Sequence, residues 1–249
     1  MNPGLFHQNF EIVRADTPEL VDIAHQLRYQ VYCQEKGFEE AGRFPDRRES
    51  DDYDRRAIHS LIRHRSSDIY IGVVRLVLPE VGGADQPLPM EQHCELDLAE
   101  SHPHLAQLPH HTIGEISRFS VSKVYRRRAA EEGLIWGVCR EGESNYTQFN
   151  RRHLPIITLG LIAASFRMCV EHQIHYCYAA MEPTLLRLLR GLGVSFQALG
   201  MPVEYHGKRV PAFYSVREMM PKVLGSHAGL RHIYYGPDED SAHGRLAAV

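Results

Sequence analysis

The run Gly114 to Ser122, Gly-Glu-Ile-Ser-Arg-Phe-Ser-Val-Ser, sets a carboxylate and a guanidinium inside a stretch that otherwise reads as a buried strand. Ile113, Ile116, Phe119 and Val121 favour an extended chain, whereas Glu115 and Arg118 are costly inside a sheet unless each finds a partner. Three apart on a regular strand, the two side chains point to opposite faces. For them to meet, the strand needs one extra residue, a bulge, near Ser117. A bulge also leaves a backbone N–H outside the ladder, and an N–H aimed at a ligand carbonyl is the kernel of an acyl-transfer site. Without that task, the same residues make an ordinary strand with charges at its wet ends.

Elements on both sides must position this stretch. Phe10 to Ala15 reads as a short strand, and Asp16-Thr17-Pro18-Glu19 opens a helix with Thr17 as cap and Pro18 in the first turn. The apolar stripe Leu20, Ile23, Leu27 and Val31 carries that helix to about Lys36, where Gly37 stops it. Arg28 and Tyr32, four apart, share another face, so that a cation and a phenol can point into one cavity. Residues 38–54 are polar and irregular and end in Glu49-Ser50-Asp51-Asp52-Tyr53-Asp54, whose spacing fits no EF-hand loop. Residues 57–63 and 69–78 read as a hairpin. Arg75 stands inside its apolar run Ile71 to Leu78 and requires a carboxylate.

Residues 79–111, rich in Pro and His, read as an excursion over the surface with one short helix around Leu96 to Glu100. Its His93, His102, His104, His110 and His111 match no zinc spacing, and no metal is expected. Lys123 to Arg128 is basic and leads into Ala129-Ala130-Glu131-Glu132, where a helix begins. The exposed N–H groups there, with Arg126, Arg127 and Arg128 beside them, suit a phosphate or diphosphate. Residues 141–152 read as a polar loop, and Leu154 to His172 as an amphipathic helix with Ile157, Leu161, Ala164 and Met168 on one face. Ile174 to Met181 is a strand, and Glu182-Pro183 opens a helix through Arg190 that Gly191-Leu192-Gly193 ends. Phe196 to Tyr205 and Val210 to Val216 flank the turn His206-Gly207-Lys208-Arg209. From Gly225 to Val249 there is no periodicity, and a poorly ordered tail is expected.

A chain of 249 residues with no linker can bury one sizeable core, so 1–224 is expected to be a single domain followed by a tail over 225–249. A hydrophobic content of 43% with 24% charged residues describes a soluble globular protein, and a net charge of −3 gives no general attraction to nucleic acid. Five cysteines without a C-x-x-C pair point to a reducing, cytoplasmic setting. The first ten residues do not have the pattern of a signal peptide, and no uninterrupted apolar stretch reads as long enough to span a bilayer.

Laid end to end, the elements give an α/β (α+β) fold, a mixed, mostly antiparallel central sheet with helices on both faces. That order resembles the GNAT acyltransferase fold. Four motifs in sequence order sharpen the resemblance: Arg28-x-x-x-Tyr32 followed by Phe38, Glu49-x-Asp51-x-x-Asp54, Arg75-Leu76-x-Leu78-Pro79, and Glu115-x-Ser117-Arg118-Phe119. Together they look like the signature of the acyl-homoserine-lactone synthases. Tyr32 stands where those synthases usually carry Phe, and Phe38 roughly where they carry Trp. With Arg-Phe-Ser-Val-Ser, the Arg126 to Arg128 run and the Tyr-His-Gly-Lys-Arg-Val-Pro turn, the chain looks closer to the N-acyl amino acid synthases and the exosortase-associated (PEP-CTERM) acyltransferases. The resemblance implies transfer of a long acyl chain from an acyl carrier protein or acyl-CoA to a small amine, expected to be an amino acid, with no permanently bound cofactor.

On that basis, Arg28, Arg75 and Arg118 balance Asp51, Asp54 and Glu115. Brought together, they would satisfy one another and fix residues 38–54 as a lid. Attack of an amine on a thioester needs a base, for which Glu49 and Glu115 are the candidates through a water, and an oxyanion donor, a backbone N–H near Phe119, Ser120 and Val121. Phosphopantetheine would lie against Tyr125 to Arg128, and the same basic surface, with Arg151 and Arg152, could dock an acidic carrier protein. Apolar residues of the Leu154 to Met168 helix and of Tyr176 to Ala180 could line the acyl channel. An acetyl-CoA-dependent GNAT, a lactone synthase and a non-catalytic module that senses acyl carrier protein or lipid are the alternatives.

Overall fold

Strand β3 (Ile69–Val77) is buried along its whole length and lies third from one edge of the sheet. The computed structural model describes residues 4–80, 86–94, 98–122, 138–139 and 154–237. Within them the sheet runs β1 (Phe10–Ala15), β2 (Ala57–His64), β3, β4 (Ile113–Val121), β6 (Tyr176–Met181), β9 (Lys208–Ser215), β7 (Gln197–Ala198). β5 (Val138–Cys139) extends the pairing along β3, and β8 (Val203–Glu204) pairs with β9. Every neighbouring pair is antiparallel except β4 and β6. This is the mixed, mostly antiparallel GNAT-like sheet with helices on both faces that the element order implies.

The two faces do different work because residues of β3 alternate between them. Ile71, Val74 and Leu76 join the core under α6 (Leu154–Glu171), while Tyr70 and Val73 pack with Leu20, Ile23 and Leu27 of α2 (Pro18–Tyr29) on the other side. Thr17 caps α2, its hydroxyl accepting from Leu20 N–H at 3.3 Å. The chain then widens into a π-helical turn, Gln30–Glu35. Gln30 and the carboxylate of Glu35 meet the Ser122 hydroxyl at 2.8 and 2.6 Å, which ties the end of this helix to the end of β4.

Five expectations change. α6 is buried nearly all round rather than along one stripe, because α1 (Gly4–Asn9) and α9 (Ala228–Tyr235) cover its outer side. It does have the length and apolar composition to cross a membrane, contrary to expectation, but its side chains fill the protein interior. The tail is ordered as far as the described residues reach: α8 (Val216–Ser226) leads to α9, capped by His227 at 3.1 Å from Leu230 N–H, and Leu230 and Ile233 are fully buried. Arg167 on α6 holds α9 by donating to the carbonyls of Ile233 and Tyr234. Such a short helix, built mainly on two buried residues, leaves too weak a periodicity to read.

The described residues of 79–111 are more than a surface excursion, and the one short helix expected around Leu96 to Glu100 corresponds to the helix at Leu98–Ser101. The segment carries α3 (Pro89–His93), α4 (Leu98–Ser101) and α5 (Pro103–Ala106), and buries Leu88 and Met90 against Tyr178 and Phe213. The last hairpin also differs: Gly200 and Pro202 lie between β7 and β8, and Pro cannot donate to a ladder, so the first arm is broken. Tyr205, His206 (φ 51°) and Gly207 (φ 85°) form its turn, the last two in the left-handed region. The helix start expected at Lys123–Glu132 and the loop 141–152 lie outside the described residues.

Gly160 on α6 faces the Phe6 ring so closely that an added Cβ would sit 2.8 Å from Cζ. Gly160→Ala is expected to destabilise the fold by about 1–3 kcal/mol, read as a lower urea midpoint at unchanged slope.

Candidate active site

The acidic loop owes its shape to its own spacing. Asp51 caps a 3-10 turn, Asp52–Arg56, accepting from Tyr53 N–H at 3.0 Å, while Asp54 reaches back to Asp51 N–H at 2.8 Å. The D-x-x-D pattern is thus a capping box. It turns both carboxylates, and Glu49 before them, toward the face of the sheet that α2 covers. Arg28 on α2 meets them from one side, and Arg75 on β3 and Arg118 on β4 from the sheet.

The pairing is dense. Arg28 donates from Nε to Glu49 at 2.5 Å and from Nη1 to Asp54 at 2.6 Å. Arg75 donates from Nη1 to Asp51 at 2.6 Å and to Asp54 at 2.9 Å, and from Nε to the Ser117 hydroxyl at 2.9 Å. Arg118 takes Glu49 through Nε and Nη2, the shortest contact being 2.7 Å, and Asp51 at 3.1 Å. Arg28 and Arg75 have no exposed surface and Arg118 only 7%. Three cations and three carboxylates therefore cancel, though the third carboxylate is Glu49 and not the expected Glu115.

Burial alone would raise the pKa of Glu49, but Arg28 and Arg118 outweigh it and hold the carboxyl far below its ordinary value. Asp54 is held low in the same way, against its burial, by His59, Arg28 and Arg75. Burial lowers His59 to about 4, so its ring is neutral at pH 7, with Nε2 3.0 Å from Arg28 Nη1 and 3.3 Å from Asp54 Oδ1. His25, Asp54 and His59 bring ligand atoms within 4.8 Å of one another. Of these, Asp54 is already held by Arg28 and Arg75, whereas His25 Nε2 is buried without a hydrogen-bond partner.

The expected bulge is present, one residue further along than Ser117. Arg75 pairs with Ser117 and Val73 with Ser120, which leaves Arg118 and Phe119 opposite a single residue of β3. Arg118 adopts φ 51°, a left-handed conformation that costs about 1–3 kcal/mol for a residue with a Cβ. Its bidentate hold on Glu49 and its stacking 5.0 Å from the Tyr32 ring centre offset that strain. Glu115 and Arg118 do not pair. Glu115 accepts the Met90 N–H at 2.7 Å, and burial raises its pKa to about 7.

Beside the bulge the sheet opens. β4 and β6 pair only over Ile113–Glu115 and Tyr176–Tyr178, after which β4 continues with β3 and β6 with β9. A pocket with a cavity of about 80 Å³ lies at that gap. Tyr32, Ser117, Arg118 and Phe119 line one end, and Ile162 and Phe166 of α6 with Leu185 and Leu189 of α7 (Pro183–Gly191) line the other. The gap thus joins a charged face to an apolar interior.

Of the residues singled out in the sequence, Arg28, Glu49, Asp51, Asp54, Arg75 and Arg118 converge, and Tyr32 and Phe38 pack edge-on beside them at 6.0 Å. Phe119 lines the pocket, Ser120 donates to the Arg118 carbonyl at 3.3 Å, and Val121 pairs with Gly72 with its side chain in the core. Tyr125, Arg126, Arg127 and Arg128, like Arg151 and Arg152, lie outside the described residues. Sequence reasoning missed His59, Glu39, Glu182, His206 and Arg209. His59 stands directly opposite Arg75 in the β2–β3 ladder, a register that strand alternation could have supplied once the hairpin was placed.

Because the low pKa values of Glu49 and Asp54 belong to the folded state, the stability they contribute is present above their ordinary values of 4.5 and 3.8 and is lost as the pH falls below them. Glu49→Gln strands two guanidiniums and is expected to cost about 3–5 kcal/mol at pH 7, with a flatter acid limb in urea midpoints measured against pH.

Residues 27–136, which include Arg28, the acidic loop, Arg75 and the bulge, match the family model of an acetyltransferase (GNAT) domain. Among solved structures, the chain is similar to BjaI, a CoA-dependent acyl-homoserine lactone synthase with SAM and isopentyl-CoA, at 19% identity and a TM-score of 0.58, covering 96% of this chain and 99% of that one. It is similar to the AHL synthase LasI at 18% identity and a TM-score of 0.55, covering 88% and 94%. FeeM, an N-acyl amino acid synthase from uncultured soil microbes, gives 15% identity and a TM-score of 0.54, covering 88% and 94%. No curated protein matches. At these identities the structural likeness is one of fold, and the domain match adds the class of chemistry. The chain therefore carries a GNAT acetyltransferase-type domain, which makes it an enzyme of the acyltransferase class.

Proposed function

We propose that this protein is an N-acyltransferase that moves a long acyl chain from a thioester, on acyl carrier protein or coenzyme A, to the nitrogen of an amine. The observation that carries the reading is the pocket at the gap between β4 and β6, with a bulged backbone at one end and an apolar interior at the other. An acetyl group has no use for the apolar room between Ile162, Phe166, Leu185 and Leu189, whereas a long chain fills it. A lactone product is not required by any of these features.

In this reading the thioester carbonyl rests against the bulge, where an N–H of Arg118 or Phe119 donates to the oxygen as it gains charge. The amine nitrogen attacks the carbonyl carbon, the C–S bond breaks, and the thiol leaves with a proton. Glu49 is unsuited to take the amine's proton because two guanidiniums hold it ionised. Glu115, with a pKa of about 7, is matched to the task. It does not line the pocket, so an intervening water relays the proton. The arginine cluster keeps the loop 49–56 seated on the sheet and so fixes the bulge; Arg118 and Arg75 act as positioning residues. Phe119 contacts the donor, Tyr125 to Arg128 are assigned to its phosphate, and a carrier protein is the acidic partner. The unpaired thiols of Cys33, Cys94, Cys169 and Cys177 suit a cytoplasmic setting.

Incubation with acyl carrier proteins of several chain lengths and a pool of amines, read by mass spectrometry, is expected to give long-chain amides. Acetyl amides alone, or no amide, would contradict the reading. With Glu115 as base, kcat/KM rises with pH through about 7, and Glu115→Gln removes that rise. The same raised pKa means that ionising Glu115 weakens the fold as pH increases from 4.5 toward 7. Glu115→Gln should therefore raise the melting temperature above pH 7, the opposite of Glu49→Gln.

A further inference from the structure

Behind the apolar end of the pocket lie two thiols that the acyl-transfer chemistry leaves unused. Cys169, in the last turn of α6, and Cys177 on β6 have no exposed surface, and their sulfurs are 3.5 Å apart. Cys177 stands directly opposite Tyr214 in the β6–β9 ladder. The Tyr214 hydroxyl is hydrogen-bonded to Cys177, and Tyr214 itself lines the pocket together with Ser165 and Phe166 of α6. The thiol pair is thus coupled to the pocket wall through one phenol.

The sulfurs of a disulfide are about 2 Å apart, so a movement of about 1.5 Å separates this pair from a bond. The loop that the bond would close, 169–177, is short, and closing a short loop adds little to stability. Its consequence lies in the pocket instead. Once Cys177 is bonded to Cys169, its sulfur has no proton to share and moves away from Tyr214. The Tyr214 hydroxyl, on a residue only 6% exposed, then faces an alkyl chain that offers it no partner.

We propose that Cys169 and Cys177 form a reversible disulfide, and that its closure weakens the binding of long acyl chains through Tyr214. The effect on the chain rests on the acyl-transfer reading above, whereas the bond itself does not. Hydrogen peroxide, small enough for the cavity, is the oxidant. One thiol sulfur attacks the O–O bond and becomes a sulfenic acid as water leaves. The second sulfur then attacks the first, the S–S bond forms and another water departs, so that two thiols and one peroxide give one disulfide and two waters. A dithiol reductant returns the electrons and protons. The hydrogen bond to Cys177 and burial raise the Cys169 thiol well above its ordinary pKa, so closure is slow beside that of an exposed thiolate and answers sustained oxidation.

The test uses the full chain, first reduced and then exposed to hydrogen peroxide. Peptide mapping after alkylation of the remaining thiols should find Cys169 joined to Cys177, and dithiothreitol should separate them. With an amine pool as acceptor, closure should raise KM for lauroyl-CoA about tenfold, as an unsatisfied buried hydroxyl predicts, and reduction should restore it. KM for butyryl-CoA, whose short chain leaves the apolar end empty, should hold. Tyr214→Phe should still form the bond yet lose the change in KM, and Cys169→Ala should lose both. Oxidised protein in which the two cysteines stay apart, or a linked pair with lauroyl KM unchanged, would overturn the proposal. A rise of the same size in Cys169→Ala would do so too, because it places the effect at another residue. A reduced enzyme that makes no amide from either donor would overturn the acyl-transfer reading and with it the effect on the chain, while the linked peptide still decides the bond.

Discussion

Three buried guanidiniums held by the carboxylates of one short loop are the constraint on which the rest of this structure depends. An ion taken out of water loses several kcal/mol of solvation, and only close pairing with further hydrogen bonds returns it. Here each arginine binds two of the three carboxylates, and each carboxylate binds two arginines. No member can leave without uncovering two charges. The helix that carries Arg28, the strands that carry Arg75 and Arg118, and the loop between them are thereby locked in one register.

The lock accounts for the bulge, and the bulge accounts for the opening. A left-handed Arg118 would relax into the ladder if nothing held its side chain on the α2 face, where Glu49 and Tyr32 grip it. Held there, β4 carries residues that β3 cannot pair, and on its other side it parts from β6 after Glu115. Charge pairing on one face therefore maintains a hole through the sheet to the other. The same arrangement sets the two glutamates apart: two guanidiniums hold Glu49 far below its ordinary pKa, while burial raises Glu115, which accepts only the Met90 N–H, to about 7.

Much of this was legible in the sequence because misplaced charge is conspicuous there. Arg75 in an apolar strand and Arg118 in another demanded partners, and the acidic run supplied them, whereas Glu115 found the Met90 N–H. Which carboxylate went where was not legible, since Glu49 and Glu115 differ only in what the fold sets beside them. The strands and the helix at Pro18 followed from period and caps. Of the helices of 79–111 only the one around Leu96 to Glu100 was read, and α9 was not, because each is short and held by a few buried side chains rather than by a stripe. Arg209 was hidden for a different reason: in a Gly-Lys-Arg turn, a basic residue reads as solvated until the hairpin is seen to fold over Phe38.

The account stands on the placement of an acyl thioester in the gap beside the bulge. A crystal structure with a 2-oxoalkyl-CoA, a ketone analogue of a long-chain acyl-CoA in which a methylene between sulfur and carbonyl blocks transfer but keeps the carbonyl, tests that most directly. The analogue's carbonyl oxygen should lie within hydrogen-bond distance of the N–H of Arg118 or Phe119, with its alkyl chain between Ile162 and Leu185. An alkyl chain bound anywhere else, with the gap closed or empty, would contradict the account.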